Sequence, residues 1–195
     1  MKREQFIKTF GVTSPTFRTV TIDDNSNIAD TIEKIKSYKQ ERGVLIKDIG
    51  KNNEFCSVLI ELEKIAPKTK IHYGICNKSV ELGTLFYIAD IYEGSFVYSE
   101  NIIKENTKDL DEYQKDRRHL KLFGELYIPD EETGLESLLK EAKTKADILV
   151  VNNDISPRKL EQIKELIEDY TLFLGDKVDL SKLPNYREFV DGVFK

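Results

Sequence analysis

The feature that most constrains the fold is an alternation of short apolar runs with longer runs that repeat apolar residues at helical spacing. The apolar runs predict buried strands at Arg18–Ile22, Val44–Gly50, Lys70–Cys76, Ser95–Ser99, Lys121–Ile128, Asp147–Asn152 and Tyr170–Leu174. The helical spacing predicts helices from Ile28 toward Gly43, at Phe55–Ala66, Val80–Tyr92 and Leu135–Ala146, and from Pro157 through Ile167. Strands that alternate with helices in this way favour parallel βαβ units.

We therefore expect an α/β fold: a three-layer sandwich, flavodoxin-like or Rossmann-like, whose mostly parallel central sheet carries helices on both faces. The chain is expected to form a single α/β domain over residues 1–195. Within it, a charged insertion or loop is predicted at about 100–119, and a C-terminal tail at about 175–195 that ends in a short helix near 187–193. Open parallel sheets bind ligands beyond the C-terminal ends of their strands, so candidate site residues are sought there.

Composition and charge narrow the classes of partner. The chain has 195 residues, of which 39% are hydrophobic and 33% charged, as in globular proteins with a charged surface. The formal net charge is -5, and basic and acidic residues are interleaved, so the sequence lacks the basic stripe that binds a phosphate backbone. Duplex nucleic acid is not expected as a partner.

The cysteines and the apolar runs indicate a cellular setting. Cys56 and Cys76 are far apart and lie among apolar residues, as free thiols do in a reducing compartment, so a cytoplasmic location is expected. No apolar run is long enough to cross a bilayer, and the first ten residues, MKREQFIKTF, are too short and too charged for a signal peptide. The membrane is therefore not expected as a partner.

Polar residues follow several predicted strands and form the candidate ligand site. These ligand-binding candidates are Asp23, Asp24, Asp48, Asn77, Ser79, Asn152 and Asn153. None of the strand-to-helix junctions contains GxGxxG or GxxxxGK[ST], which disfavours dinucleotide and P-loop nucleotide enzymes. No cofactor is predicted.

No metal site is predicted either. The two histidines, His72 and His119, lack a partner at metal-ligand spacing, and there is no CxxC. A magnesium-dependent nuclease would be an alternative if Glu61 and Glu63 lay on a strand beside Asp48. The helical spacing from Phe55 to Ala66 argues against that alternative.

One segment resembles a known family. The run SVELGTLFYIADIYEGSFV, Ser79–Val97, is similar to a stretch of the nucleoside deoxyribosyltransferases, in which a small polar residue, a Glu and a Gly precede an apolar helix. The resemblance implies that Glu81 attacks or stabilises C1 of a sugar while an N-glycosidic bond breaks, since an oxocarbenium-like centre requires a nearby carboxylate. The chain departs from the family after its first strand and at Asn77, where the family usually carries an Asp.

Two functions follow from these observations. The first is a small nucleoside- or nucleotide-binding α/β protein that cleaves or transfers at an N-glycosidic bond, with Glu81 catalytic and Asn77 and Ser79 orienting the sugar. The alternative is a non-enzymatic regulatory or complex-forming domain that binds a protein partner through the charged segment, Ile102 to His119, and the tail around Tyr186. A second interpretation of Glu81 is structural: Ser79 would cap the helix, and the carboxylate would interact with the helix dipole.

Overall fold

The computed structural model describes residues 1–38, 40–51, 54–66, 69–107, 110, 119–129 and 133–195. Its strands are β1 (Thr16–Ile22), β2 (Gly43–Asp48), β3 (His72–Asn77), β4 (Phe96–Ser99), β5 (Lys121–Leu126), β6 (Ile148–Val151), β7 (Leu172–Leu174) and β8 (Gly192–Phe194). Its α-helices are α1 (Arg3–Phe10), α2 (Ile28–Ser37), α3 (Glu54–Ile65), α4 (Leu82–Ile91), α5 (Leu135–Lys145) and α6 (Pro157–Ile167). Half of the charged segment predicted at about 100–119, residues 108, 109 and 111–118, lies outside the described residues.

The eight strands follow one another in chain order around a closed barrel, and the strand pairs within it are parallel. The predicted three-layer sandwich, flavodoxin-like or Rossmann-like, is therefore wrong. A closed barrel has one outer surface for its helices, whereas an open sheet has two faces. The prediction failed because strands and helices alternate in both architectures, and no local residue pattern states whether the sheet closes.

Both ends of the described chain also differ from prediction. The helix α1 was not predicted, and the short helix expected near 187–193 is instead a single 3-10 turn, Tyr186–Glu188, followed by the strand β8. The backbone N–H of Val193 in β8 donates to the carbonyl of Pro15 at 3.1 Å. Such a short strand is defined by its neighbours, because three residues carry too little periodicity to distinguish a strand from a helix. None of the described helices is both long and apolar enough to cross a membrane.

The chain divides into two compact units. The first comprises residues 1–16, 100–105 and 122–195, and the second comprises residues 17–99 and 106–121. In the second unit, phenylalanine rings lie over glycines on neighbouring strands. Phe17 is paired in register with Gly43, and Phe96 with Gly74. The two rings stack with their centroids 5.6 Å apart. We call the side of β1–β4 that carries these rings the ring face.

The first unit repeats this packing with its own residues. Phe173 is paired in register with Gly192, and a Cβ atom at position 192 would lie 2.4 Å from the Phe173 ring. Phe123 contacts the Phe173 ring edge-on, with the centroids 5.3 Å apart. Phe6 of α1 packs against Phe173 at 5.5 Å, which attaches the N-terminal helix to the strands.

Replacing Gly74 with alanine is expected to destabilise the protein by about 1–3 kcal/mol, because overpacking forces neighbours to shift. A Cβ atom at position 74 would lie only 1.9 Å from Cε2 of Phe96. In an uncrowded strand the same change would instead stabilise by about 0.5–1 kcal/mol. Urea unfolding measures the difference. In a Phe96→Leu background, Gly74→Ala should cost less stability than it does in the wild-type protein, because the ring that it crowds is gone. If the two changes had additive effects on the free energy of unfolding, the contact would be contradicted.

Candidate functional site

At the C-terminal ends of β1–β3, a small network of polar side chains joins three loops. The carboxylate of Asp48 accepts a hydrogen bond from Nδ2 of Asn77 at 2.7 Å and from the backbone N–H of Gly50 at 3.0 Å. Asp24 accepts a hydrogen bond from the backbone N–H of Lys51 at 2.6 Å. These contacts bring together three of the predicted ligand-binding residues, Asp24, Asp48 and Asn77.

Asp48 is the buried acidic group of this network, with only 5% of the residue exposed. Burial raises the pKa of Asp48 above its ordinary value of 3.8, the hydrogen bond from Gly50 opposes that rise, and the nearby charge of Asp24 adds to it. Because side chains alternate along a strand, Asp48 lies on the same side of β2 as Val44 and Ile46, opposite the ring face. Its observed contacts hold loops in place.

Asp23 and Ser79, also predicted to bind ligand, make local backbone contacts. The carboxylate of Asp23 accepts hydrogen bonds from the backbone N–H of Asn25 at 3.0 Å and from the hydroxyl of Ser26 at 2.9 Å. These bonds shape the turn that precedes α2. The backbone N–H of Ser79 donates to Oδ1 of Asn77 at 2.8 Å. The ligand-binding roles expected for Asp23 and Ser79 stay predictions.

Glu81, the predicted catalytic residue, occupies the N-cap position of α4 and is exposed. Its backbone carbonyl accepts the first hydrogen bond of the helix, from Leu85 at 3.0 Å. Its side chain makes no capping hydrogen bond within the described residues. The prediction that Ser79 caps this helix is wrong, because the helix begins three residues later, at Leu82.

In the first unit, Asn152 connects two strands and a loop. Its Nδ2 donates to Oε2 of Glu125 at 2.9 Å, and its Oδ1 accepts from the backbone N–H of Lys177 at 2.9 Å. Gly175 leaves the space for this side chain, since a Cβ atom there would lie 2.0 Å from Oδ1 of Asn152. Asn153 instead pairs with the backbone of Ile128 through both its amide nitrogen and its oxygen, at 2.9 and 2.8 Å.

The described residues do not support a metal site. They contain no group of three or more His, Cys, Asp or Glu side chains that could hold an ion. The helix predicted over Phe55–Ala66 is confirmed as α3, so Glu61 lies on a helix, where it pairs with Lys64. The strand geometry that the nuclease alternative requires is therefore absent from this segment.

Lys47, which was not predicted as a site residue, is only 9% exposed at the C-terminal end of β2. Side-chain alternation places it with Gly43 on the ring face, opposite Asp48. Thr21 of β1 and Cys76 of β3 are its register partners on either side. One sequence signal could have revealed it: Lys47 is the only cation in the apolar run VLIKDIG.

No protein-family model and no curated protein matches this chain. A chain of the tryptophan synthase a2b2 complex from Pyrococcus furiosus is 9% identical, covers 94% of this chain and 86% of its own length, and has a TM-score of 0.69. Tryptophan synthase subunit alpha from Campylobacter jejuni is 13% identical, with coverages of 97% and 89% and a TM-score of 0.66. The YdjI aldolase from Escherichia coli K12 is 10% identical, with coverages of 99% and 79% and a TM-score of 0.63.

These likenesses establish a TIM-barrel-like fold, and at such low identity they establish the fold alone. The closed barrel overturns the functions predicted from the sequence. The nucleoside prediction depended on an open sandwich like that of the deoxyribosyltransferases, whereas the chain forms a barrel. The non-enzymatic alternative was likewise drawn for a sandwich domain and is not carried over to the barrel. Nucleotide binding and cleavage of a glycosidic bond are therefore unsupported.

The burial of Asp48 leads to a titration prediction. In wild-type protein, its carboxyl ¹³C resonance should titrate above pH 3.8, and Asp24→Asn should lower that pKa by removing the neighbouring charge. The raised pKa also makes stability depend on pH, because the folded state binds the Asp48 proton more tightly than the unfolded state does. The contribution of Asp48 to stability is complete below pH 3.8 and is lost as the pH rises through the raised pKa.

Asp23→Asn is the matched control for Asp24→Asn, since it removes the adjacent carboxylate, which is hydrogen-bonded to Asn25 and Ser26. It should leave the Asp48 titration nearly unchanged. A wild-type Asp48 that titrates at or below pH 3.8 would refute the burial argument.

Asn152→Ala is expected to lower the free energy of unfolding by about 1–3 kcal/mol, because the hydrogen bonds to the Glu125 carboxylate and from the Lys177 N–H are lost. Chemical denaturation measures the effect. Asn25→Ala, at an exposed position, serves as the control and should cost much less. Equal losses in the two variants would show that the Asn152 contacts contribute little.

Proposed function

We propose that this protein is an enzyme that acts on a small carbonyl compound, with Lys47 as its nucleophile. The observation that carries the proposal is a lysine almost covered by protein at the C-terminal end of a barrel strand. In TIM-barrel enzymes that end of the strands carries the active site. On the ring face, Lys47 lies in register between Thr21 and Cys76. Asp48, the next residue, points to the other side and accepts a hydrogen bond from the backbone of the following loop.

The chemistry requires an amine and a site that restricts water. The Lys47 nitrogen attacks the carbonyl carbon, a carbon–nitrogen bond forms, and the carbonyl oxygen leaves as water, which yields an imine. An imine withdraws electrons from the adjacent carbon and so assists the making or breaking of a bond there. Near-complete burial of Lys47 supports this role, because a sheltered site limits hydrolysis of the imine.

Two further observations are consistent with this proposal. One of the similarly folded proteins is named an aldolase, and we extend that reaction class to this chain only by proposal. The cytoplasmic location expected from Cys56 and Cys76 is also part of the proposal, since neither cysteine forms a disulfide in the structure. Small-molecule binding at Lys47 replaces the earlier nucleoside expectation.

Reductive trapping tests the proposal. The protein is incubated with sodium cyanoborohydride and either pyruvate or hydroxyacetone, so that hydride adds to the imine carbon and leaves a stable secondary amine. Intact-mass measurement should show one adduct for each chain, and peptide mapping should locate it at Lys47. The protein carries many exposed lysines, so the site of labelling decides the question.

Two variants provide matched controls. Lys47→Arg keeps a cation but cannot form an imine, and it should abolish the adduct. Lys51→Arg changes an exposed lysine in the loop that follows β2 and should leave the adduct unchanged. Labelling spread evenly over surface lysines, with Lys47→Arg reacting as well as wild type, would refute the proposal.

A further inference from the structure

The hydroxyl of Thr19 lies on the ring face and is buried, yet it has no hydrogen-bond partner in the described part of the chain. It is the one buried side-chain polar atom of these residues in that state. Native proteins rarely leave such an atom unpaired, because the hydration that it loses on burial is then not replaced. The Thr19 hydroxyl on this face is therefore available to pair with a bound group.

Thr21 lies two residues further along β1 on the same face, and it is exposed. It is paired in register with Lys47, and Thr19 with Leu45. The two threonine Cα atoms are separated by about 6.6 Å along the strand, twice the rise per residue. A group that accepts hydrogen bonds on two sides could join the hydroxyls, since each O–H···O contact spans about 2.7 Å.

From this arrangement we infer that the Lys47 site takes a small 2-oxo acid, whose carboxylate accepts hydrogen bonds from the hydroxyls of Thr19 and Thr21. A carboxylate has two acceptor oxygens, and in a 2-oxo acid it is attached directly to the carbonyl carbon that Lys47 would attack. Leu45 and the Phe96 ring lie on the same face and favour a short apolar substituent on the other side of the carbonyl. This inference rests on the proposed function and specifies its substrate class.

The test compares two probes of similar size, pyruvate with its carboxylate and hydroxyacetone without one. In the trapping experiment, Thr19→Val and Thr21→Val should each raise the pyruvate concentration for half-maximal labelling roughly tenfold or more, since hydrogen bonds to a charged group are strong. Labelling by hydroxyacetone should stay at its wild-type concentration dependence. Valine matches the shape of threonine and suits a strand, so the change removes little besides the hydroxyl.

Two other variants complete the design. Thr84→Val, on the exposed side of α4, should alter neither probe. Thr19→Ser keeps the hydroxyl and should retain wild-type pyruvate labelling, which separates lost hydrogen bonding from lost packing. If the valine variants weaken both probes equally, or neither, the carboxylate assignment is overturned. If neither probe labels Lys47 in the wild type, the proposed function fails as well, and that result is distinct from the first.

Discussion

The packing of a phenylalanine ring over a glycine on the adjacent strand organises this protein. The pairing occurs between Phe17 and Gly43 and between Gly74 and Phe96 in one unit, and between Phe173 and Gly192 in the other. At each glycine, an added Cβ atom would lie within 2.6 Å of the ring. The glycines therefore let large rings fill the space that two ordinary side chains would share. The six strands that carry these residues, β1 to β4, β7 and β8, must therefore each direct a glycine or a phenylalanine toward its partner.

That requirement determines the direction of every other side chain on those strands, because side chains alternate. Gly43 on the ring face brings Lys47 to the same face and sends Asp48 to the opposite one. Two adjacent charged residues thus acquire different tasks. Asp48 is hydrogen-bonded to Asn77 and Gly50 and stabilises loops, while Lys47 lies beside Thr21 and Cys76. The position on which the chemistry proposed for Lys47 depends therefore follows from the packing of Gly43 against Phe17, four residues earlier in the strand.

In each unit, an asparagine amide donates a hydrogen bond to a carboxylate near the C-terminal ends of neighbouring strands. Asn77 donates to Asp48 in one unit at 2.7 Å, and Asn152 donates to Glu125 in the other at 2.9 Å. In both pairs the amide oxygen accepts a backbone N–H from a following loop, that of Ser79 or of Lys177. An asparagine can do this because it is donor and acceptor at once. Polar residues at strand ends therefore support loops here, which explains why their presence alone is weak evidence for a ligand site.

The sequence by itself determined the positions of most strands and of α2 to α6, because hydrophobic periodicity is a local property of ten to fifteen residues. It also identified Asp48, Asn77 and Asn152 as strand-end residues. Only the tertiary structure decided that the strands close into a barrel, since closure depends on pairing between residues far apart in the chain. The same holds for Lys47: its place on the ring face follows from which neighbour contacts Gly43, and no pattern within β2 alone records that contact.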